Sequence, residues 1–388
     1  MKRIFLLIIC AVFVLLSLRW APALPGDSSP LIREKYGEWA GVLRIWVSEE
    51  TGPCAGSPLP WLNRIAAILE KRYPGVYVHF QTVSAEALQC RDNGLLLPDM
   101  IIYPSNLRTD DQDLVELSTS AALREGLPRQ GRALPLLMSA CAWIYDCTAL
   151  PHLPADLQNV PAACSPAHLN ALAALCTGLR PAEGEIAPLP GLDLGLEGEI
   201  APTQRPAGSV PCRVSPDLVL TQSPQEALAS GQVQAFVGDL AQISKMADAS
   251  GWAYAVPGEW AYVTQALCCS LPEQQDAAAG ERQRLCREYI ELLLSEGQSD
   301  AARTGAMPVV ATSAWAGDPL LAGFEAALNE KRCLYPDPFR GVPDQTPALR
   351  FISGEISADE ALRQLRFASE SLAHLSFQYA CPQAFQMI

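Results

Sequence analysis

Four histidines and thirteen cysteines are the side chains best suited to hold a metal or attack a carbonyl, and their arrangement favours neither use. Cys141 and Cys147 lie six positions apart, Cys268 and Cys269 are adjacent, and no C-x-x-C pair occurs, so a zinc site has no counterpart in the spacing. No G-x-S-x-G, H-E-x-x-H, P-loop or G-x-G-x-x-G is present. His79 falls in a strand pattern, and His152 and His168 fall near turns; each has a plainer account as a surface or packing histidine. No residue is therefore given a catalytic role, and no metal or cofactor is expected. Hydroxyls and carboxylates can also hold a ligand by hydrogen bonds, and aromatic faces by stacking. The candidates are Ser48, Glu49, Tyr103, Ser105, Asp239, Trp260 and Tyr262.

These residues gain meaning from the elements that carry them. Val42 to Val47 is a short apolar run with β-branched and aromatic residues, a buried-strand pattern ending at Ser48-Glu49-Glu50. Trp61, Leu62, Ile65, Ile68, Leu69 and Tyr73 recur at helical spacing until Pro74-Gly75 stops them. Val76, Val78, Phe80 and Thr82 alternate with polar neighbours, the pattern of a second strand. Ser84 can cap a short helix, and Met100 to Tyr103 is a third brief strand after Pro98-Asp99. Strand, helix, strand, helix, strand predicts a parallel sheet with crossover helices. In such sheets ligands bind beyond the carboxyl ends of the strands, where the candidate residues fall.

After the long apolar stretch Ala133 to Tyr145 the character changes. Ser165-Pro166 starts a helix, with Pro at its first position. Pro181 to Pro211 holds six prolines and five glycines and repeats Gly-Glu-Ile-Ala-Pro, which reads as an irregular insert. Ser223-Pro224-Gln225-Glu226 and Ser357-Ala358-Asp359-Glu360 are capping boxes. Gln234 to Val237 reads as a strand, Gly238-Asp239 opens a helix through about Ala249, and Trp252 to Val256 and Ala261 to Leu271 read as strands. Ala277 to Leu294, Gln298 to Arg303 and Asp318 to Leu328 read as helices.

The chain of 388 residues is long enough for two domains. Lys plus Arg is 28 against 42 for Asp plus Glu, a net charge of -14, which disfavours a nucleic-acid partner. Lys2 and Arg3, the apolar run Ile4 to Leu18 and Ala21-Pro22-Ala23 have the layout of a secretory signal, cleaved or kept as an anchor. Removing residues 1–23 takes away Lys2, Arg3 and Arg19, moves the charge to about -17 and leaves twelve cysteines, a number that permits disulfides outside the cell.

Four stretches then carry a resemblance. Leu43-Arg44-Ile45-Trp46-Val47, the helix and turn ending Tyr73-Pro74-Gly75-Val76, Pro98-Asp99-Met100-Ile101, and Glu296-Gly297-Gln298 through Gly305-Ala306-Met307-Pro308-Val309 resemble, in order and spacing, the extracellular solute-binding proteins of ABC importers. Ser230 to Asp239 is similar to that family's later strand and helix. The resemblance implies an α/β, two-lobed periplasmic binding protein-like II fold, each lobe a mostly parallel sheet flanked by helices. It also implies an exported monomer that captures a small, possibly carbohydrate-like molecule and delivers it to permease subunits, touching the membrane only through its N-terminal segment. Lobe 1 is expected over 40–146 and about 257–330, lobe 2 over 147–256, and a helical extension over 331–388. Tyr145-Asp146 departs from the family's Tyr-Asn, and the Pro/Gly-rich insert stands where second-lobe elements belong. Two rivals remain: a membrane-tethered sensor or surface-interaction domain on the same fold, and an exported hydrolase. For the candidates themselves, Glu49 and Glu50 have the plain account of solvated loop charges, Tyr103 of sheet packing and Asp239 of a helix cap. Trp260, flanked by Gly258-Glu259, is expected to be partly exposed.

Overall fold

The computed structural model describes residues 39–89, 97–105, 107, 113–154, 157–179, 218–244, 251–335 and 344–366. The N-terminal segment, the insert over 181–211 and the end of the chain after 366 lie outside them.

The first elements are β1 (Gly41–Ser48), α1 (Leu59–Arg72), β2 (Val76–Val83), α2 (Ala85–Gln89) and β3 (Met100–Pro104). β1 pairs in parallel with β2 on one side and β3 on the other, the order expected from the alternation of patterns. α1 buries Trp61, Leu62, Ile65, Ala66 and Leu69 against this sheet. Pro60 sits in its first turn, where an N–H would lack a helical partner in any case. Lys71 and Arg72 complement the dipole in the last turn. Gly75 then turns the chain at φ +101°, a conformation costly for any residue with a Cβ. Asp99, just before β3, accepts from the Arg44 amide at 2.8 Å, from Arg282 Nε at 2.7 Å and from Gln274 Nε2 at 3.0 Å. The Pro-Asp pair is thus a clamp at the amino edge of the sheet.

Three short strands follow, β4 (Leu114–Val115), β5 (Leu117–Ser118) and β6 (Gln130–Gly131), and then β7 (Leu134–Asp146). Twelve of the thirteen residues of β7 are buried, as expected of a strand covered on both faces. Beyond it come β8 (Ala162–Cys164), a 3₁₀ turn at Pro166–His168, α3 (Leu169–Cys176), β9 (Val219–Leu220), α4 (Pro224–Ala229), β10 (Ala235–Asp239), α5 (Leu240–Ser244) and β11 (Trp252–Ala255). The return is β12 (Trp260–Pro272), α6 (Ala279–Ser295), a 3₁₀ helix at Gln298–Thr304, β13 (Met307–Pro308), α7 (Pro319–Asn329), β14 (Arg332–Leu334), α8 (Thr346–Ile352) and α9 (358–366).

The main sheet runs β2-β1-β3-β12-β7-β10-β8-β9. Its outer strands are parallel in each half: β2, β1 and β3 at one end, β10, β8 and β9 at the other. Between them β7 is an antiparallel spine. Its stretch from Leu134 to Ala140 pairs with β12, and its stretch from Cys141 to Tyr145 pairs with β10. The chain therefore folds as two α/β halves joined through strands long enough to serve both. α8 packs on α3, so the chain returns to the second half after β14.

One local reading needs correction. Ser223 precedes a helix as expected, but its side chain makes no cap; its carbonyl accepts from the Glu226 and Ala227 amides instead. The helix read at Gln298 to Arg303 is present, as a 3₁₀ helix over Gln298–Thr304. Ser357 does cap, its Oγ accepting from the Glu360 amide at 3.2 Å.

Candidate functional site

Strand register locates where the two halves face each other. β3 ends at Pro104, opposite Leu267 of β12, which lies opposite Leu137 of β7. β10 runs the other way and ends at Asp239, opposite Cys141. The carboxyl ends of the two parallel sets thus approach one another along β7, four residues or about 13 Å apart in level. Loops and free amides converge at such ends, so the space between them is the natural ligand site.

The floor of that space is marked by burial. β12 is buried from Ala261 to Val263 and from Ala266 to Leu271, but Thr264 is half-buried and Gln265 exposed. The register with β7 shifts at this point, between Val263 and Gln265. Thr264 Oγ1 donates to the Ser139 carbonyl at 3.2 Å. A bulge here turns a polar side chain outward from an otherwise covered strand.

On the first half, Ser48 is buried and its Oγ accepts from the Glu50 amide at 3.1 Å. Glu49 is exposed, its amide donating to the Val83 carbonyl at 2.9 Å. Tyr103 is fully buried with its hydroxyl 2.8 Å from Ser270 Oγ. Ser105 exchanges two bonds with Ala266: its amide donates to the carbonyl at 2.7 Å and its Oγ accepts from the amide at 2.9 Å. Ser105 therefore fastens the end of β3 to the floor of the gap.

On the second half, Asp239 caps α5, its Oδ1 accepting from the Gln242 amide at 3.1 Å. Its Oδ2 lies 3.7 Å from His168 Nε2. Burial by itself would raise the Asp239 carboxyl pKa; the His168 side chain and the Gln242 and Ala241 amides outweigh it and hold the pKa below its ordinary value. Tyr262 is buried and its hydroxyl accepts from Asn170 Nδ2 at 3.3 Å. Burial pushes its phenol up to about 12, so it stays protonated. Burial likewise raises the Cys141 thiol well above its ordinary value, with Asp239 and Cys164 adding to the effect, so no thiolate nucleophile is provided. The nine described cysteines form no disulfide with one another.

The structure thus gathers Asp239 and Tyr262 around the start of α3, and sets Ser48, Glu49, Tyr103 and Ser105 at the facing edge. Trp260 stands apart. It is half-buried, and the Arg332 and Arg366 guanidiniums lie over its ring at 5.4 and 4.7 Å from the centroid. Sequence reasoning set His168 aside as a surface or packing histidine and did not single out Asn170, Ser139 or Gln265. His168 had one available signal: it falls in the first turn of a helix whose start, Ser165-Pro166, was legible. Its Nδ1, like Asn170 Oδ1 and Ser139 Oγ, is buried and has no hydrogen-bond partner among the described residues. Such atoms suit a ligand rich in hydroxyls, which both donate and accept.

This is the two-lobed α/β fold of periplasmic binding proteins. Among solved structures, the cyclic α-maltosyl-1,6-maltose binding protein of Arthrobacter globiformis matches with a TM-score of 0.52 at 12% identity, covering 86% of this chain and 99% of that one. The GacH receptor of Streptomyces glaucescens GLA.O, known unliganded and with acarbose, matches with a TM-score of 0.48 at 16% identity over 87% and 99%. Both are ligand-binding proteins. No family model and no curated protein sequence matches the chain.

Proposed function

We propose that this chain is an exported binding protein that captures a small carbohydrate between its two halves and delivers it to the permease of an ABC importer. The observation that carries the reading is the register: two sets of parallel strands ending face to face over a polar, exposed break in β12. The oligosaccharide named for the Arthrobacter protein supports the ligand class. Glu49, Ser105 and Gln265 would meet the sugar from the first half and the floor, and His168 and Asp239 from the second. Ser48, Tyr103 and Tyr262 would support these from behind. The halves would be 40–146 with 257–330, and 147–256, hinged where β7 passes from one partner to the other. Closure would follow from tighter ligand binding in the closed state. Residues 1–23 would direct export or anchor the chain outside the cell, and the protein would act as a monomer without a cofactor.

Thermal unfolding in the presence of maltooligosaccharides, other oligosaccharides, polyols and amino acids tests the proposal. A true ligand at about 100 times its dissociation constant adds about 2.7 kcal/mol of apparent stability. A shift confined to oligosaccharides is expected. No shift with any sugar, or steady consumption of one, overturns the reading.

A further inference from the structure

The charged groups at the facing strand ends carry one sign. The parallel strands are β1, β2 and β3 in one half and β8, β9 and β10 in the other. Taking the last residue of each and the five that follow, the described residues include Glu49 and Glu50 after β1, Glu86 after β2 and Asp239 at the end of β10. No Lys or Arg stands among these described residues, and His168, after β8, is the one side chain there able to carry a positive charge. Even a protonated His168 leaves carboxylates in excess. The three glutamates form no ion pair with a described residue, whereas cations elsewhere are matched: Arg282 with Asp99 and Asp276, Arg72 with Glu288, Arg284 with Glu281.

Helix amides at such ends ordinarily serve an anion. Here the chain draws on them itself. Ser84 Oγ accepts from the Ala87 amide at 3.3 Å, at α2. Before α3, Ser165 accepts from the Ala167 amide at 3.4 Å through Oγ and from the His168 amide at 2.8 Å through its carbonyl. At α5 the cap is the Asp239 carboxylate, which repels a second anion.

The unfilled capacity at the start of α3 is for accepting. Asn170 Nδ2 donates to the Tyr262 hydroxyl at 3.3 Å and to the Asp344 carbonyl at 3.0 Å, so Oδ1 is left as an acceptor, buried and without a partner among the described residues. His168 turns Nε2 toward Asp239 Oδ2, 3.7 Å away. A carboxylate only accepts, so in the neutral ring Nε2 holds the proton and the buried, unpartnered Nδ1 is a second acceptor. Trp143 Nε1, a buried donor without a partner among the described residues, stands opposite Val237, inside β10 rather than at its end.

We propose that the gap between the halves selects a cationic ligand, a carbohydrate bearing an ammonium group, such as an oligosaccharide of amino sugars. The inference rests on the carbohydrate reading above and narrows it. An ammonium offers three donors and no acceptor, which suits both the carboxylates and the unfilled acceptors. A neutral sugar gains the hydrogen bonds alone, and a sugar acid meets repulsion. The formal net charge of -14 adds a long-range attraction for the same ligands.

The test is calorimetry of the full chain at about pH 6, where an amine of ordinary basicity is charged. The probes are glucosamine oligosaccharides, N-acetylglucosamine oligosaccharides of the same length, oligogalacturonates and spermidine. Glucosamine oligosaccharides should bind at least about tenfold tighter than their N-acetylated counterparts, the worth of a charge-assisted hydrogen bond. Glu49→Gln should remove most of that difference and leave the unfolding midpoint in place, since Glu49 is exposed. Equal affinity for the charged and acetylated oligosaccharides, tightest binding of oligogalacturonates, or a preference unmoved by Glu49→Gln would overturn the inference and leave the carbohydrate reading standing. Spermidine binding without any sugar would overturn the carbohydrate reading, and the amino sugar with it. No binding of any probe would overturn both.

Discussion

Leu136 and Ser139 lie three residues apart on β7, and the polar groups around them are buried in opposite ways. At Leu136 the neighbour is Gln298, whose amide is fully engaged. Its Nε2 donates to the carbonyls of Leu136 and Leu293, both at 3.0 Å, and its Oε1 accepts from the amides of Val309 at 2.8 Å and Val310 at 3.4 Å. One side chain thereby ties β7, α6 and the segment after β13. Around Ser139 and the start of α3, Ser139 Oγ, His168 Nδ1 and Asn170 Oδ1 have no such partner among the described residues. A buried polar group that holds a fold together has its bonding capacity filled from within. One that serves a ligand keeps capacity unfilled, at a cost to stability. The difference between Gln298 and Ser139 separates framework from site inside a single sheet.

The largest effect should therefore come from Gln298. Gln298→Leu keeps the volume but leaves Val309 N–H and the Leu136 carbonyl buried and unpaired. Each such group costs about 1–3 kcal/mol, so a loss of about 3–5 kcal/mol is expected in urea unfolding. A loss below about 1 kcal/mol would mean that the network is not what joins these elements.

Gln298 and Asp99 both appear in the sequence as letters of recognisable patterns, Glu-x-Gln and Pro-Asp. Their surroundings were legible because they are local: apolar alternation in β1 and β2, the helical spacing of α1 and the Pro74-Gly75 stop all act within a few residues. The spine was only half legible. Ala133 to Tyr145 shows as one apolar run, but nothing in a run states that its first part pairs with β12 and its last part with β10. The site suffers most from this. His168 meets Asp239, and Asn170 meets Tyr262, only after β8, β10 and β12 have been laid side by side. Trp260 shows the same limit in reverse. Its flanking Gly258-Glu259 pointed to exposure, which it partly has, but the two arginines over its ring come from distant segments.

A smaller effect is expected at Asp239, and its pH dependence carries the sign. The folded carboxyl is held below its ordinary value, because the His168 side chain and two backbone amides outweigh the burial that would raise it. A carboxylate depressed on folding contributes stability above the unfolded value, about 3.9, and loses it as pH falls through the lower folded value. Asp239→Asn should therefore be less stable than the parent at neutral pH, with the gap narrowing as pH falls below about 4. Urea unfolding of both proteins across that range measures it. A gap that widens on acidification would mean that Asp239 is stabilised in its protonated form, and that the pairing with His168 is not its main interaction.

The smallest change in stability belongs to Ser139→Ala, and it bears most directly on the contrast with Gln298. Ser139 is buried, yet its hydroxyl has no hydrogen-bond partner among the described residues, while its carbonyl accepts from Thr264. Removing an unpaired buried hydroxyl gives up no internal bond and relieves its desolvation cost, so the unfolding free energy should not fall and should rise by about 1 kcal/mol. If the gap between the halves takes a carbohydrate, the same substitution should weaken its binding about three- to tenfold, the worth of one hydrogen bond. Stability and affinity would then move independently at Ser139, whereas at Gln298 a loss of fold would remove both together. A Ser139→Ala protein destabilised by 2 kcal/mol or more, by the same urea measurement, would place Ser139 with the framework and remove the distinction.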